Sequence, residues 1–182
     1  MKRLAFGVML GIMGLVSPVG AQSEPDAGEP GFLVLQKRVQ EELKLTEEQK
    51  GTLAQAGEGL RGRPLESAQV KQTLKPEQLA RLEEIRLQAR GGSALVEADV
   101  AGKLGLNMAE KAKIAQMWKN EEESLRQVLR VVRFRGPEAR ARFILEQRQR
   151  SGKKLLELLT EEQLASWKKL QGKAFDFKTG RS

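Results

Sequence analysis

The sequence predicts an all-α fold of two pseudo-repeated helical-hairpin halves, the second with an extended hairpin. Three observations lead there. No segment of the 182 residues alternates apolar and polar side chains as a half-buried strand would. Four short segments share one helix-starting pattern. Finally, Ile114, Met117, Trp118, Leu125, Val128, Leu129 and Val132 recur with a period of about 3.6 residues, upstream of the breaker Gly136-Pro137.

Composition narrows the chemistry. The chain has no Cys, no His and no Tyr. Imidazole acid–base catalysis, His metal sites and thiolate nucleophiles are excluded. Neither a disulfide framework nor a zinc ribbon can form. Aromatic residues make up 4%, too few for a platform that stacks single-stranded nucleic acid. The expectation is a chain with no catalytic residues, no cofactor, no metal and no nucleic-acid partner.

Taken from the N-terminus, the first element reads as an export signal. Lys2 and Arg3 precede 13 apolar or Gly residues, Leu4 to Val16, and Ser17-Pro18-Val19-Gly20-Ala21 then places small residues at Val19 and Ala21. That is the three-part pattern of a secretory signal, with cleavage expected after Ala21 and a periplasmic or secreted destination. The run is shorter than the roughly 18–20 residues that span a bilayer. Residues 22–31 are polar and rich in Pro and Gly, and read as a disordered lead-in. Residues 32–172 read as the helical domain and 173–182 as a C-terminal tail.

The four repeated segments begin at Leu45 (Leu-Thr-Glu-Glu-Gln), Leu74 (Leu-Lys-Pro-Glu-Gln), Leu106 (Leu-Asn-Met-Ala-Glu) and Leu159 (Leu-Thr-Glu-Glu-Gln). Eight residues after each Leu stands another apolar residue: Leu53, Leu82, Ile114 and Trp167. Thr46 and Thr160 can cap a helix through the hydroxyl, while Gln49 and Gln163 reach back to the cap residue's N–H. Asn107 with Glu110 is the same device. Lys75 is a poor cap, but Pro76 suits a first helical position. These segments start helices and carry no chemistry of their own.

The segments pair into halves of about 32–90 and 95–172, joined at Gly91-Gly92-Ser93. The Leu-to-Leu spacing is 29 residues in the first half and 53 in the second. The 24 extra residues lengthen each arm of a hairpin by about 12 residues, or about 18 Å. Gly136-Pro137 marks its turn.

Charge concentrates in that hairpin. Residues 126–154 hold ten basic side chains and two acidic ones, a net +8, against a formal +8 for the whole chain. Arg126, Arg130 and Arg133, at i, i+4 and i+7, are expected to form one stripe beside the apolar face. Arg135, Arg140 and Arg142 extend the basic surface, and Phe134 and Phe143 flank the turn. Read from the residues alone, this is either a solvated helix face or a surface for acidic partners with apolar contact beside the charge.

The Leu-Thr-x-x-Gln segments, the export signal and the helical pattern together resemble the LTxxQ-motif family, the Spy/CpxP-like periplasmic proteins. The segments that resemble it most run from Glu42 to Gln49 and from Leu156 to Leu170. The resemblance implies a thin, cradle-like helical homodimer. It also implies ATP-independent chaperone activity in some members and envelope-stress regulation in others. The client-binding surface it suggests is Arg126, Arg130, Arg133, Phe134, Arg135, Arg140, Arg142 and Phe143, by composition. Expected partners are unfolded or acidic protein segments and an anionic envelope surface. The alternatives are a regulatory or structural role in an envelope stress pathway, or binding to a polyanion or membrane surface.

Other motifs carry less. Ser151-Gly152-Lys153-Lys154 matches S-x-x-K and Lys178-Thr179-Gly180 matches K-T-G, but the helical context and the missing S-D-N element argue against a serine acyl-enzyme. Glu121-Glu122-Glu123 reads as a solvated acidic patch, because adjacent helical residues do not share a face. Trp118 and Trp167 read as core.

Overall fold

The computed structural model describes residues 28–60 and 63–177, and among these all regular structure is helical. The expected export signal, the lead-in as far as residue 27 and the end of the tail lie outside the described residues. In chain order the helices are α1 (Pro30–Leu33), α2 (Lys37–Glu42), α3 (Glu47–Gly57), α4 (Ser67–Thr73), α5 (Pro76–Arg90), α6 (Ala98–Lys103), α7 (Met108–Val131), α8 (Pro137–Leu156) and α9 (Glu161–Leu170). A 3₁₀ helix, Gly91–Val96, links α5 to α6.

The four Leu-led motifs start α3, α5, α7 and α9. Thr46 Oγ1 accepts from the Gln49 N–H at 3.2 Å, and Gln49 Oε1 accepts from the Thr46 N–H at 3.0 Å. Thr160 and Gln163 repeat this at 3.2 and 3.0 Å, and Asn107 and Glu110 at 2.9 and 2.8 Å. Lys75 has no acceptor to offer. Pro76 instead removes one orphan N–H at the helix start, and the Lys75 N–H donates to Gln78 Oε1 at 2.9 Å. The residue eight positions after each Leu is buried in every copy: Leu53, Leu82, Ile114 and Trp167.

The last side chain of each motif also does something its spacing does not show. Gln49 and Gln78 meet amide to amide. Gln49 Nε2 donates to Gln78 Oε1 at 2.8 Å, and Gln78 Nε2 donates back at 3.2 Å. The remaining donors reach backbone carbonyls across the pair, Gln49 to Thr73 at 2.9 Å and Gln78 to Leu43 at 3.2 Å. Each amide thereby fills four hydrogen-bonding positions, which lets Gln78 sit at 8% exposure. In the other half, Gln163 Nε2 donates to both carboxylate oxygens of Glu110 at 3.2 Å. A carboxylate has no proton to return, so that pair runs one way.

Two apolar clusters form around these pairs. One gathers Leu33, Val34, Val39, Leu43, Leu45, Leu53, Leu65, Val70, Leu74, Leu82 and Ile85. The other gathers Leu87, Ala94, Leu95, Val100, Ala101, Leu104, Leu106, Ile114, Leu155 and Trp167, with Trp118 half-buried at its edge. Leu87 lies two residues after Ile85, so α5 serves both.

The glycines between α5 and α6 form a buried 3₁₀ turn, not a loose joint. Gly92, Ser93, Ala94 and Leu95 are buried, and this turn packs closely on α8. A Cβ on Gly92 would fall on the Gly152 carbonyl oxygen. The lead-in needs a correction at its end. Pro30 and Gly31, expected to be disordered, form the first turn of α1, because Pro suits that position and Gly31 lies flush against the Leu65 backbone.

Glu and Gln differ by a donor, and this predicts opposite effects in the two halves. Gln78→Glu removes two donors and faces a buried carboxylate toward two acceptors, and should cost about 3 kcal/mol. Glu110→Gln restores a donor and should add about 0.5–1 kcal/mol. Urea unfolding followed by far-UV circular dichroism measures both.

Candidate functional site

Helices α7 and α8 form an antiparallel hairpin whose tip carries the basic residues. At its base, Ile114 and Leu155 are buried in the second cluster. Midway, Leu125 and Ile144 are the last buried apolar residues. Beyond them the apolar period continues with less cover, and Leu129 is half-buried. Val128 and Val132 are exposed, Val131 is 79% exposed and Leu145 51%. Val131 sits off the periodic stripe. Leu145 follows the buried Ile144, and adjacent helical residues cannot both face inward.

The acidic triplet locks the hairpin at mid-length, so the reading of it as a solvated patch needs correcting. Glu121 accepts from Ser151 Oγ at 2.7 Å and Lys154 Nζ at 2.6 Å. Glu122 faces Arg148 Nε at 3.5 Å, and Glu123 pairs with Arg126 on its own helix at 3.8 Å. Glu121 and Glu122 both reach α8 because each side chain lies to one side of the interhelical seam. The hydrogen bond from Lys154, then that from Ser151, holds the Glu121 carboxyl below its usual range, against a smaller opposing effect of burial. Ser151 and Lys154, the S-x-x-K pair, are thus spent on one carboxylate. Lys178-Thr179-Gly180 lies outside the described residues.

The acids reach no further than this. Arg130, Arg133, Arg135 and Arg142 are exposed and form no hydrogen bond or ion pair among the described residues. Arg126 and Arg140 are exposed as well. Phe134 and Phe143 come together across the turn, half-buried, with ring centroids 5.3 Å apart and a tilted geometry. This aromatic pair is the tip's own small apolar anchor.

The expected three-arginine stripe is corrected at its end. α7 stops at Val131, and Val132 is extended (φ −81°, ψ 127°). Arg133 therefore leaves the helix. The turn demands this: Gly136 takes φ 96°, a conformation suited to glycine, to aim the chain into Pro137. Arg126 and Arg130 remain on α7, Arg133, Phe134 and Arg135 lie in the turn, and Arg140, Arg142 and Phe143 lie on α8.

A second charged cluster is closed on itself. Arg86, buried on α5, donates to both oxygens of Glu83 at 2.7 and 2.8 Å and to Glu97 at 2.9 Å. Burial works against its charge, but the hydrogen bonds to Glu83 and Glu97 outweigh that and raise its pKa. Arg90 shares Glu97 at 2.8 Å. The open pocket these residues line has its charges matched in place.

Among the described residues, no group of three or more acidic side chains is placed to hold a metal ion, and no helix is long and apolar enough to cross a membrane. No family model matches the chain, and no curated protein or solved structure matches it.

A carboxyl whose folded pKa is depressed stabilises the fold above its unfolded pKa and loses that contribution as pH falls through the folded value. Glu121→Gln should therefore cost about 1 kcal/mol at pH 7, discounted for partial exposure. The gap to wild type should close as pH falls below about 4.3. Thermal melts across that range measure it.

Proposed function

We propose that this chain is an exported, non-enzymatic binding protein of the LTxxQ, Spy/CpxP-like kind, working as an ATP-independent periplasmic chaperone. Its capture surface is the tip of the α7–α8 hairpin, and its clients are unfolded or acidic segments. One observation carries the reading. Exposed Val128, Val131, Val132 and Leu145 stand in one hairpin tip with Arg130, Arg133, Arg135 and Arg142, which no acid of the described residues offsets. Apolar area of this kind, rimmed by charge, suits a polypeptide partner.

The mechanism has two stages. The arginines raise the encounter rate with acidic segments over a range set by salt. The valines, Leu145 and the Phe134–Phe143 pair then hold apolar side chains weakly. Exposed charge pairs contribute about 0–1 kcal/mol each, so release needs no nucleotide. The pseudo-repeat belongs to the same proposal. It is supported by the matching pairs Gln49–Gln78 and Glu110–Gln163, each within one half. A homodimer would cover part of the exposed hairpin.

The test uses the mature chain with two unrelated unfolding proteins, followed by light scattering at low and high salt. Suppression of both near stoichiometry, weakened by salt, is expected. Charge reversal at Arg126, Arg130 and Arg133 to Glu should slow capture about tenfold or more, as loss of steering does. Unchanged capture by the folded variant contradicts the proposal. Suppression of neither client would favour a dedicated partner of a stress pathway. Salt-sensitive binding to anionic vesicles alone would favour an envelope-surface binder.

A further inference from the structure

The residues after α9 turn back across the first half of the molecule. Gly172 makes the turn at φ 59°, and a Cβ there would strike the Glu84 carboxylate. Lys173 to Phe177 then run without helical structure over α2 and α5. Phe175 packs on the first apolar cluster, which is otherwise built from residues 33–89.

The contacts are mostly to main chain. Gln88 Nε2 donates to the Lys173 carbonyl at 2.8 Å and to the Gln171 carbonyl, while Gln88 Oε1 accepts from the Phe175 N–H at 2.7 Å. One residue of a neighbouring parallel strand bonds in this way, its N–H to the carbonyl of one residue and its C=O to the N–H two residues on. Arg81 adds a bond to the Lys173 carbonyl at 2.8 Å, and is itself fixed by Glu42 and Glu84 at 2.7 and 2.6 Å. Side-chain recognition is sparse by comparison. Phe175 packs on the cluster, exposed Phe177 stands edge-to-face against the Phe175 ring with centroids 4.9 Å apart, and Asp176 faces Arg38 at 3.4 Å.

The geometry points to a peptide-binding groove between α2 and α5, separate from the hairpin and independent of its reading. It accepts an extended segment that places one aromatic residue in the cluster, and the chain's own Lys173–Phe177 fills it in cis. Main-chain bonds supply sequence-tolerant affinity, and the aromatic slot supplies selectivity. The partner is an extended aromatic-bearing segment of another polypeptide, which must displace the strap.

A fluorescent peptide with the sequence of residues 173–177 tests this on the full chain. The tethered strap competes at an effective concentration on the order of millimolar. Phe175→Ala weakens the strap and should bind the free peptide about tenfold or more tightly than wild type. Adding Gln88→Leu to that variant should abolish binding, as should replacing both Phe residues of the peptide with Ala. No binding by a folded Phe175→Ala variant overturns the proposal. If that variant fails to fold, wild type alone decides. Peptide at several times the effective concentration should speed hydrogen exchange at the Phe175 amide, and unchanged exchange overturns it. A wild-type dimer that dissociates on Phe175→Ala would also overturn it, in favour of strap exchange between copies.

Discussion

The contact between Gly92 and Gly152 sets the position of nearly everything beyond α5. A side chain on Gly92 would occupy the space of the Gly152 carbonyl, so the 3₁₀ turn and α8 touch backbone to backbone. Neighbouring Ser93 and Ser151 are buried with them, and Ser151 carries the contact onward to Glu121 of α7. The hairpin is thereby gripped along its lower half by glycine packing, the Glu121 bonds and the Leu155–Ile114–Trp167 cluster. Its upper half receives nothing comparable. The tip is presented because its base is held.

Side-chain amides fix the rest. Burying Gln78 and half-burying Gln49 would be costly if any hydrogen-bonding position were left empty. Gln49 and Gln78 avoid this by satisfying each other, the backbone at their own helix starts and a carbonyl on the opposite segment. The same side chain thus caps a helix and sets how two helix starts meet. Glu110 in the second half keeps the cap and gives up the return bond; it and its partner Gln163 are both half-buried, whereas Gln78 is buried. Carboxylate is tolerated where water can reach it.

Much of this was legible in the sequence. Capping spacing located the starts of α3, α5, α7 and α9, and the residues eight positions after each Leu are all core. Local chemistry decides such features, so local reading finds them. The pairing of Gln49 with Gln78 depends on two helices meeting, which spacing does not encode. The burial of Gly92 was hidden for the same reason, since a Gly-Gly-Ser run reads as a joint until a second backbone is seen to fill it. At the site, the basic hairpin and the Phe134–Phe143 pair were legible, while the loss of Arg133 from α7 was not. The helix yields there to a turn whose geometry is set by Gly136, three residues later. The strap was also missed, because its bonds run from Gln88 to main-chain atoms that carry no residue signature.

Arg130, Arg133, Arg135 and Arg142 lie with exposed Val128, Val131 and Val132 at the tip of the long hairpin, where we propose clients are captured. The most direct measurement places a photo-crosslinking residue at Val131, and in parallel at exposed Ala54 on α3, then adds an unfolding client. Capture at the tip predicts crosslinks from position 131, reduced by salt, and few from position 54. Equal crosslinking from both, or crosslinking from position 54 alone, would contradict it.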